Sequence, residues 1–91
     1  MIRQVIVVEN RLGLHARAAA KLVHLTSRFV SDIFLAREGH AQAIDSKSIL
    51  GVLKLGAAQG TRLVVSVEGP DESEAGEAIR RLFGEKFGEE T

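Results

Sequence analysis

The spacing of hydrophobic positions changes several times along this chain, and each change marks an element. Val5, Ile6, Val7 and Val8 are β-branched neighbours, and residues 2–9 read as a strand. Asn10 to Gly13 breaks the run. From Ala16 to about Arg28 the period becomes helical, with Ala18, Ala19, Leu22, Val23, Leu25, Thr26 and Phe29 on one broad stripe. Residues 30–37 read as a second strand, Glu38-Gly39 as a turn, and His40 to Ile44 as a short third strand. A short helix follows from Ile49 to about Leu55, with Ser46 and Ser48 as candidate N-caps and Gly56 as its stop. Thr61 to Glu68 is a fourth strand, with Leu63, Val65 and Val67 on one face.

Gly69-Pro70-Asp71 opens the last helix, where Asp71 and Glu74 have the spacing of a capping box. Ala75, Ala78, Ile79, Leu82, Phe83 and Phe87 give the strongest helical period in the chain, and Glu77 can pair with Arg80 or Arg81 outside it. Gly88 to Thr91 reads as a frayed tail. The order β-α-β-β-α-β-α predicts an α+β fold, a mainly antiparallel sheet covered on one face. Residues 1–91 are expected to form a single domain.

Composition narrows the function. Apolar residues make up 45% and charged residues 26%, an ordinary globular balance. Without cysteine there is no disulfide framework and no thiolate metal site. No metal-ligand cluster or cofactor motif stands out, so neither is expected. Net charge is zero, and four Phe with no Trp or Tyr offer few stacking platforms, which argues against nucleic acid. The apolar run Val5–Val8 is too short for a membrane span or a signal sequence. The chain is therefore read as cytoplasmic, with no membrane insertion. Charge is uneven: residues 71–91 hold seven acids against three bases, and the first forty residues carry the basic excess.

The candidate chemistry lies between the first strand and the first helix. His15 stands where backbone N–H groups have no helical partner, a setting that favours anions and phosphate in particular. Neutral imidazole is a good nucleophile, and the partial positive charge of a helix N-terminus disfavours a second one beside it. A phosphoryl group on that ring would meet the N–H groups of Ala16, Arg17 and Ala18, and the Arg17 guanidinium could add charge-assisted hydrogen bonds. Arg17, Lys21, His24 and Arg28 form a basic stripe that begins beside His15, either a solvated face or a landing strip for an acidic partner. His24 and His40 have no partner pattern and read as surface residues.

Gly13-Leu14-His15-Ala16-Arg17 resembles the active-site signature of the HPr family, the histidine-containing phosphocarriers of the bacterial sugar phosphotransferase system. Asp45-Ser46-Lys47-Ser48-Ile49-Leu50-Gly51-Val52-Leu53 resembles the family's second signature, and the Gly69-Pro70-Asp71-Glu72 turn and the length also fit. The resemblance implies an open-faced β-sandwich, four antiparallel strands with three helices on one face. It implies that His15 accepts a phosphoryl group on Nδ1 from enzyme I, charged from phosphoenolpyruvate, and passes it to the IIA component of a sugar permease, with Arg17 as its partner. It also implies that Ser48 is the site of a regulatory HPr kinase/phosphorylase, with Ser46 structural. One departure is Ala18, where the family usually has proline. Alanine restores an N–H at the helix start and is expected to leave the site working.

At about 100° per residue, Ile49, Leu50 and Leu53 share one sector of the short helix, and Val52 and Leu55 another. Assigning Val52 and Leu55 to the sheet leaves Ile49, Leu50 and Leu53 as an exposed patch. By the resemblance that patch docks enzyme I and IIA; Lys21 and His24 of the basic stripe are read as further docking residues. The expected protein is a monomeric relay rather than a turnover enzyme on its own. The alternative is a regulatory paralogue of the nitrogen-related branch, whose phosphorylation state is itself the signal. A small RNA- or ligand-binding module is disfavoured by the charge and aromatic content.

Overall fold

Leu63, Val65 and Val67 are fully buried, and every layer packs over or beside them. They belong to β4 (Arg62–Glu68), an inner strand of a four-stranded sheet. Strands β1 (Ile2–Val7) and β2 (Asp32–Arg37) flank it antiparallel, so that Val65 stands opposite Gln4 on one side and Leu35 on the other. Strand β3 is only Ile44–Asp45 and pairs antiparallel with β2. The remaining elements are helices α1 (Ala16–Thr26), α2 (Ile49–Lys54) and α3 (Glu72–Gly84), then one 3-10 turn at Lys86–Gly88. This computed structural model describes residues 1–89.

The sheet is two-faced because strand side chains alternate. Ile6, Ile33, Leu35 and the three β4 residues are buried under the helices, while Val5 and Phe34 point the other way and are exposed. The fold is thus the expected open-faced α+β sandwich. Ala18, Ala19 and Leu22 of α1 and Ala75, Ile79 and Phe83 of α3 complete the core. Each large apolar side chain buried there contributes about 1.5–3 kcal/mol. Among the described residues no helix is long and apolar enough to cross a membrane.

Four local expectations change. The strand expected over His40 to Ile44 shrinks, since only Ile44 of that span pairs, joined by Asp45. Ala41, Gln42 and Ala43 are exposed and lack the branched side chains that favour a pleated surface. The capping box at Asp71 does not form, since its side chain makes no cap bond. Its carboxylate instead accepts the N–H groups of Val30 and Ser31, each at 2.9 Å, and the Ser31 hydroxyl. Asp71 therefore ties the loop before β2 to the start of α3.

The last two changes concern the C-terminus. The helix stops at Gly84, so Phe87 reaches the core through a turn rather than on the helical stripe. Lys86 and Phe87 take left-handed backbone (φ 55° and 57°), at a cost of roughly 1–2 kcal/mol each. Burial of the Phe87 ring, about 1.5–3 kcal/mol, and its edge contact with Phe83 at 4.9 Å offset most of that cost. The turn sends Gly88 and Glu89 back toward the start of α1, so these two residues of the expected frayed tail are placed. Glu90 and Thr91 lie outside the described residues.

The Asp71 carboxylate is held below the usual range, first by the Ser31 hydroxyl and then by the Val30 N–H. A depressed carboxylate adds stability above its unfolded value, about 3.9 for Asp, and that stability is lost as pH falls through the folded value. Urea midpoints of the wild type and Asp71→Asn are expected to differ most above about pH 5 and to converge in acid, as tracked by circular dichroism.

Candidate functional site

The junction between β1 and α1 is held by backbone and by one buried amide. Asn10 is fully buried, and its Nδ2 donates to Gly13 O at 2.8 Å and to Glu89 Oε1 at 3.1 Å. Gly13 takes left-handed backbone (φ 68°), and a Cβ there would collide with the Ala57 carbonyl and with Ala58 Cα. Leu14 N donates to the same Ala57 carbonyl at 2.8 Å. The chain is therefore pressed against the segment after α2, and the next residue is His15.

His15 is the N-cap of α1, with extended backbone (φ −75°, ψ −180°). Serine, threonine, aspartate and asparagine are the usual caps. Here ring Nδ1 does the work, accepting Arg17 N–H at 3.3 Å, a long and weak bond. The first helical bond is Ala19 N–H to His15 O at 2.8 Å, which leaves the N–H groups of Ala16, Arg17 and Ala18 ahead of the ladder. The opposite ring nitrogen, Nε2, lies 2.6 Å from Glu89 Oε2.

The chemistry of these partners fixes the ring's proton. The Glu89 carboxyl is held below its ordinary range, first by the hydrogen bond from His15 and then by that from Asn10. An ionised carboxylate only accepts, so Nε2 is the donor. Nδ1 accepts from Arg17 N, so it carries its lone pair. The His15 side chain is 29% exposed and Glu89 is 14% exposed, so the ring is anchored yet reachable.

The ring opens on a shallow cavity of about 510 Å³, lined also by Arg11, Leu12, Arg17, Lys21 and Glu89. Three basic side chains and one carboxylate line it, a local positive excess that suits an anion. Of the basic stripe, Arg17, Lys21, His24 and Arg28 are all exposed. Lys21 is not a bare solvated cation, because its Nζ donates to the Phe87 carbonyl at 2.6 Å.

The second candidate region is α2. Ser48 is its N-cap and is exposed, with Oγ accepting Gly51 N–H at 3.1 Å. Ser46 is fully buried. Val52 and Leu55 face the core, whereas Ile49, Leu50 and Leu53 are 40%, 68% and 37% exposed. Arg37 closes the other end of α2, donating to Leu55 O at 2.6 Å through Nη2 and at 3.1 Å through Nε.

Residues 2–85 match the family described as the PTS HPr component phosphorylation site. The chain belongs to the HPr family. It is 47% identical over 90 residues to the phosphocarrier protein HPr of Treponema pallidum, covering 99% of this chain and all of that one. It is 43% identical over 89 residues to the phosphocarrier protein HPr of Cupriavidus necator, covering 98% of each. Among solved structures it superposes on HPr from Thermoanaerobacter tengcongensis with a TM-score of 0.93 and 41% identity, covering both chains fully. Membership makes this a phosphocarrier of the phosphotransferase system.

No spacing or motif in the sequence marks Glu89, which lies beyond the segment that matches the HPr family. Asn10 reads in the sequence only as part of a turn. The one signal that could have found Glu89 is Phe87, whose apolar ring requires the chain after α3 to stay on the core.

Gly13 is the position where the site is most exposed to a single change. Gly13→Ala meets both the left-handed φ and the Ala57 backbone, whereas Gly39→Ala meets only φ, with nothing within 4 Å. The expected loss is roughly 1–2 kcal/mol for Gly39→Ala and clearly more for Gly13→Ala, read as the shift in urea midpoint.

Proposed function

We propose that His15 accepts a phosphoryl group on Nδ1 from phospho-enzyme I, ultimately from phosphoenolpyruvate, and donates it to the IIA component of a sugar permease. The observation that carries this reading is the setting of the ring. A reachable histidine caps a helix with Nδ1 unprotonated, beside three N–H groups that no helical carbonyl uses. Those donors of Ala16, Arg17 and Ala18 are suited to phosphoryl oxygens, and the Arg17 guanidinium adds a charged partner. The Arg17 N–H bond to Nδ1 is weak enough to be given up when phosphorus arrives. The chain acts as a relay, a cytoplasmic monomer that is substrate to one protein and donor to the next.

Docking is assigned to the apolar patch Ile49, Leu50 and Leu53 and to Lys21 and His24 on α1. Exposed contiguous apolar side chains rimmed by polar ones suit a protein partner. Ser48 is assigned to regulation by an HPr kinase/phosphorylase, because its hydroxyl is exposed at the edge of the patch. A phosphate there brings roughly −1.5 to −2 charges. The helix N-terminus tolerates them, but an acidic or apolar partner does not.

Two measurements test the reading. Mixed with enzyme I and phosphoenolpyruvate, the wild type is expected to gain one acid-labile phosphoryl group by mass spectrometry and His15→Ala none. Label surviving in His15→Ala would sink the carrier role. Ser48→Asp is expected to fold normally yet to accept the phosphoryl group from enzyme I at least several-fold more slowly. Uptake at the wild-type rate would remove Ser48 from regulation by charge.

A further inference from the structure

The described C-terminal segment ends on His15, and the proposed transfer leaves that contact unused. We infer that Glu89 is a positioning residue for phosphoryl transfer: its carboxylate holds Nε2–H and so presents the Nδ1 lone pair to phosphorus and offsets the charge the ring gains. This rests on the carrier reading of His15 and adds a group to it.

Four observations support it. The Glu89 carboxylate is itself oriented, with Oε1 accepting Asn10 Nδ2 at 3.1 Å and Oε2 meeting Nε2 at 2.6 Å. Asn10 is fully buried and also donates to Gly13 O, so the carboxylate is referenced to the same turn that sets His15. The Phe87 ring in the core and the Lys21 bond to Phe87 O anchor the segment two residues earlier. Finally, the two ring nitrogens have opposite partners, a carboxylate on one and an N–H on the other, which selects a single tautomer.

The step balances without any added reactant. The Nδ1 lone pair forms the new bond to phosphorus while the bond from phosphorus to the donor breaks, its electron pair leaving with the donor. The imidazole gives up electron density and becomes cationic, with its proton still on Nε2. A carboxylate at 2.6 Å is placed to stabilise that cation as it develops. An oriented carboxylate behind a histidine plays the same part in hydrolytic triads. In the onward step the charged ring is the better leaving group, so the same contact serves donation. The cost is a negative charge near an incoming anion, and Arg11, Arg17 and Lys21 around the cavity outnumber it.

The test uses the full chain, with Glu89→Ala and Glu89→Gln beside the wild type. Two quantities are read: the rate of uptake from phospho-enzyme I, and the ¹⁵N signals of the His15 ring. Glu89→Ala is expected to slow uptake on the order of tenfold, the scale of one lost charged hydrogen bond, at an unchanged half-saturating enzyme I concentration. Glu89→Gln keeps an acceptor oxygen without the charge and is expected to fall between. The ring signals are expected to report Nε2–H alone in the wild type and a mixture of tautomers in Glu89→Ala. A Glu89→Ala protein that labels as fast as the wild type, or faster, overturns the inference while leaving the carrier reading intact. A wild type that takes no label overturns the carrier reading instead, and unchanged ring signals in Glu89→Ala then overturn the hold on the ring as well.

Discussion

The close approach of Gly13 to the backbone of residues 57 and 58 is the constraint on which the site depends. No side chain fits there, and the Ala57 carbonyl both blocks a Cβ at Gly13 and receives the Leu14 N–H. Two segments more than forty residues apart in sequence are thereby fixed to one another. One carries His15 and the start of α1. The other follows α2, with its N-cap serine and its exposed apolar side chains. The His15 ring and the exposed apolar side chains of α2 therefore belong to segments that meet at one corner.

Most of this fold could be read in advance because its elements announce themselves locally. The two-residue alternation in β4 and the helical stripes of α1 and α3 predict buried faces that the structure keeps. The helix start at Ala16, the Ser48 cap and the division of α2 into a core sector and an open one were equally legible. Each depends only on residues within a turn or two. The misreadings share the opposite property. Asp71 has the spacing of a cap but finds better donors in Val30 and Ser31, about forty positions back along the chain. Glu89 follows a glycine at a polar terminus, which looks frayed, yet it closes on a histidine 74 positions away. Periodicity cannot report a partner that only the tertiary fold supplies.

Electrostatics at the site are local rather than global. The whole chain is neutral, and a neutral protein has no strong long-range pull on a charged partner. Around His15, however, Arg11, Arg17 and Lys21 line one cavity together with a single carboxylate, Glu89. The helix start adds its own partial positive charge. Such a pocket suits an anion at contact distance.

The position of β4 inside the sheet also governs how the chain can fold. Strands β1 and β2 each find their partner in β4, whose residues come only at 62–68. Ile2 must wait for Val67, a separation that covers most of the protein. During synthesis at about 5–20 residues per second, the first two strands stay unpaired with β4 for some seconds after they emerge. Such non-local pairing slows folding relative to a helical bundle of the same size. The contact of Gly13 with Ala57 lies just beyond the end of that β1–β4 pairing, where Gly60 N–H donates to Val8 O, so the corner that holds His15 is tied to a long-range pairing as well.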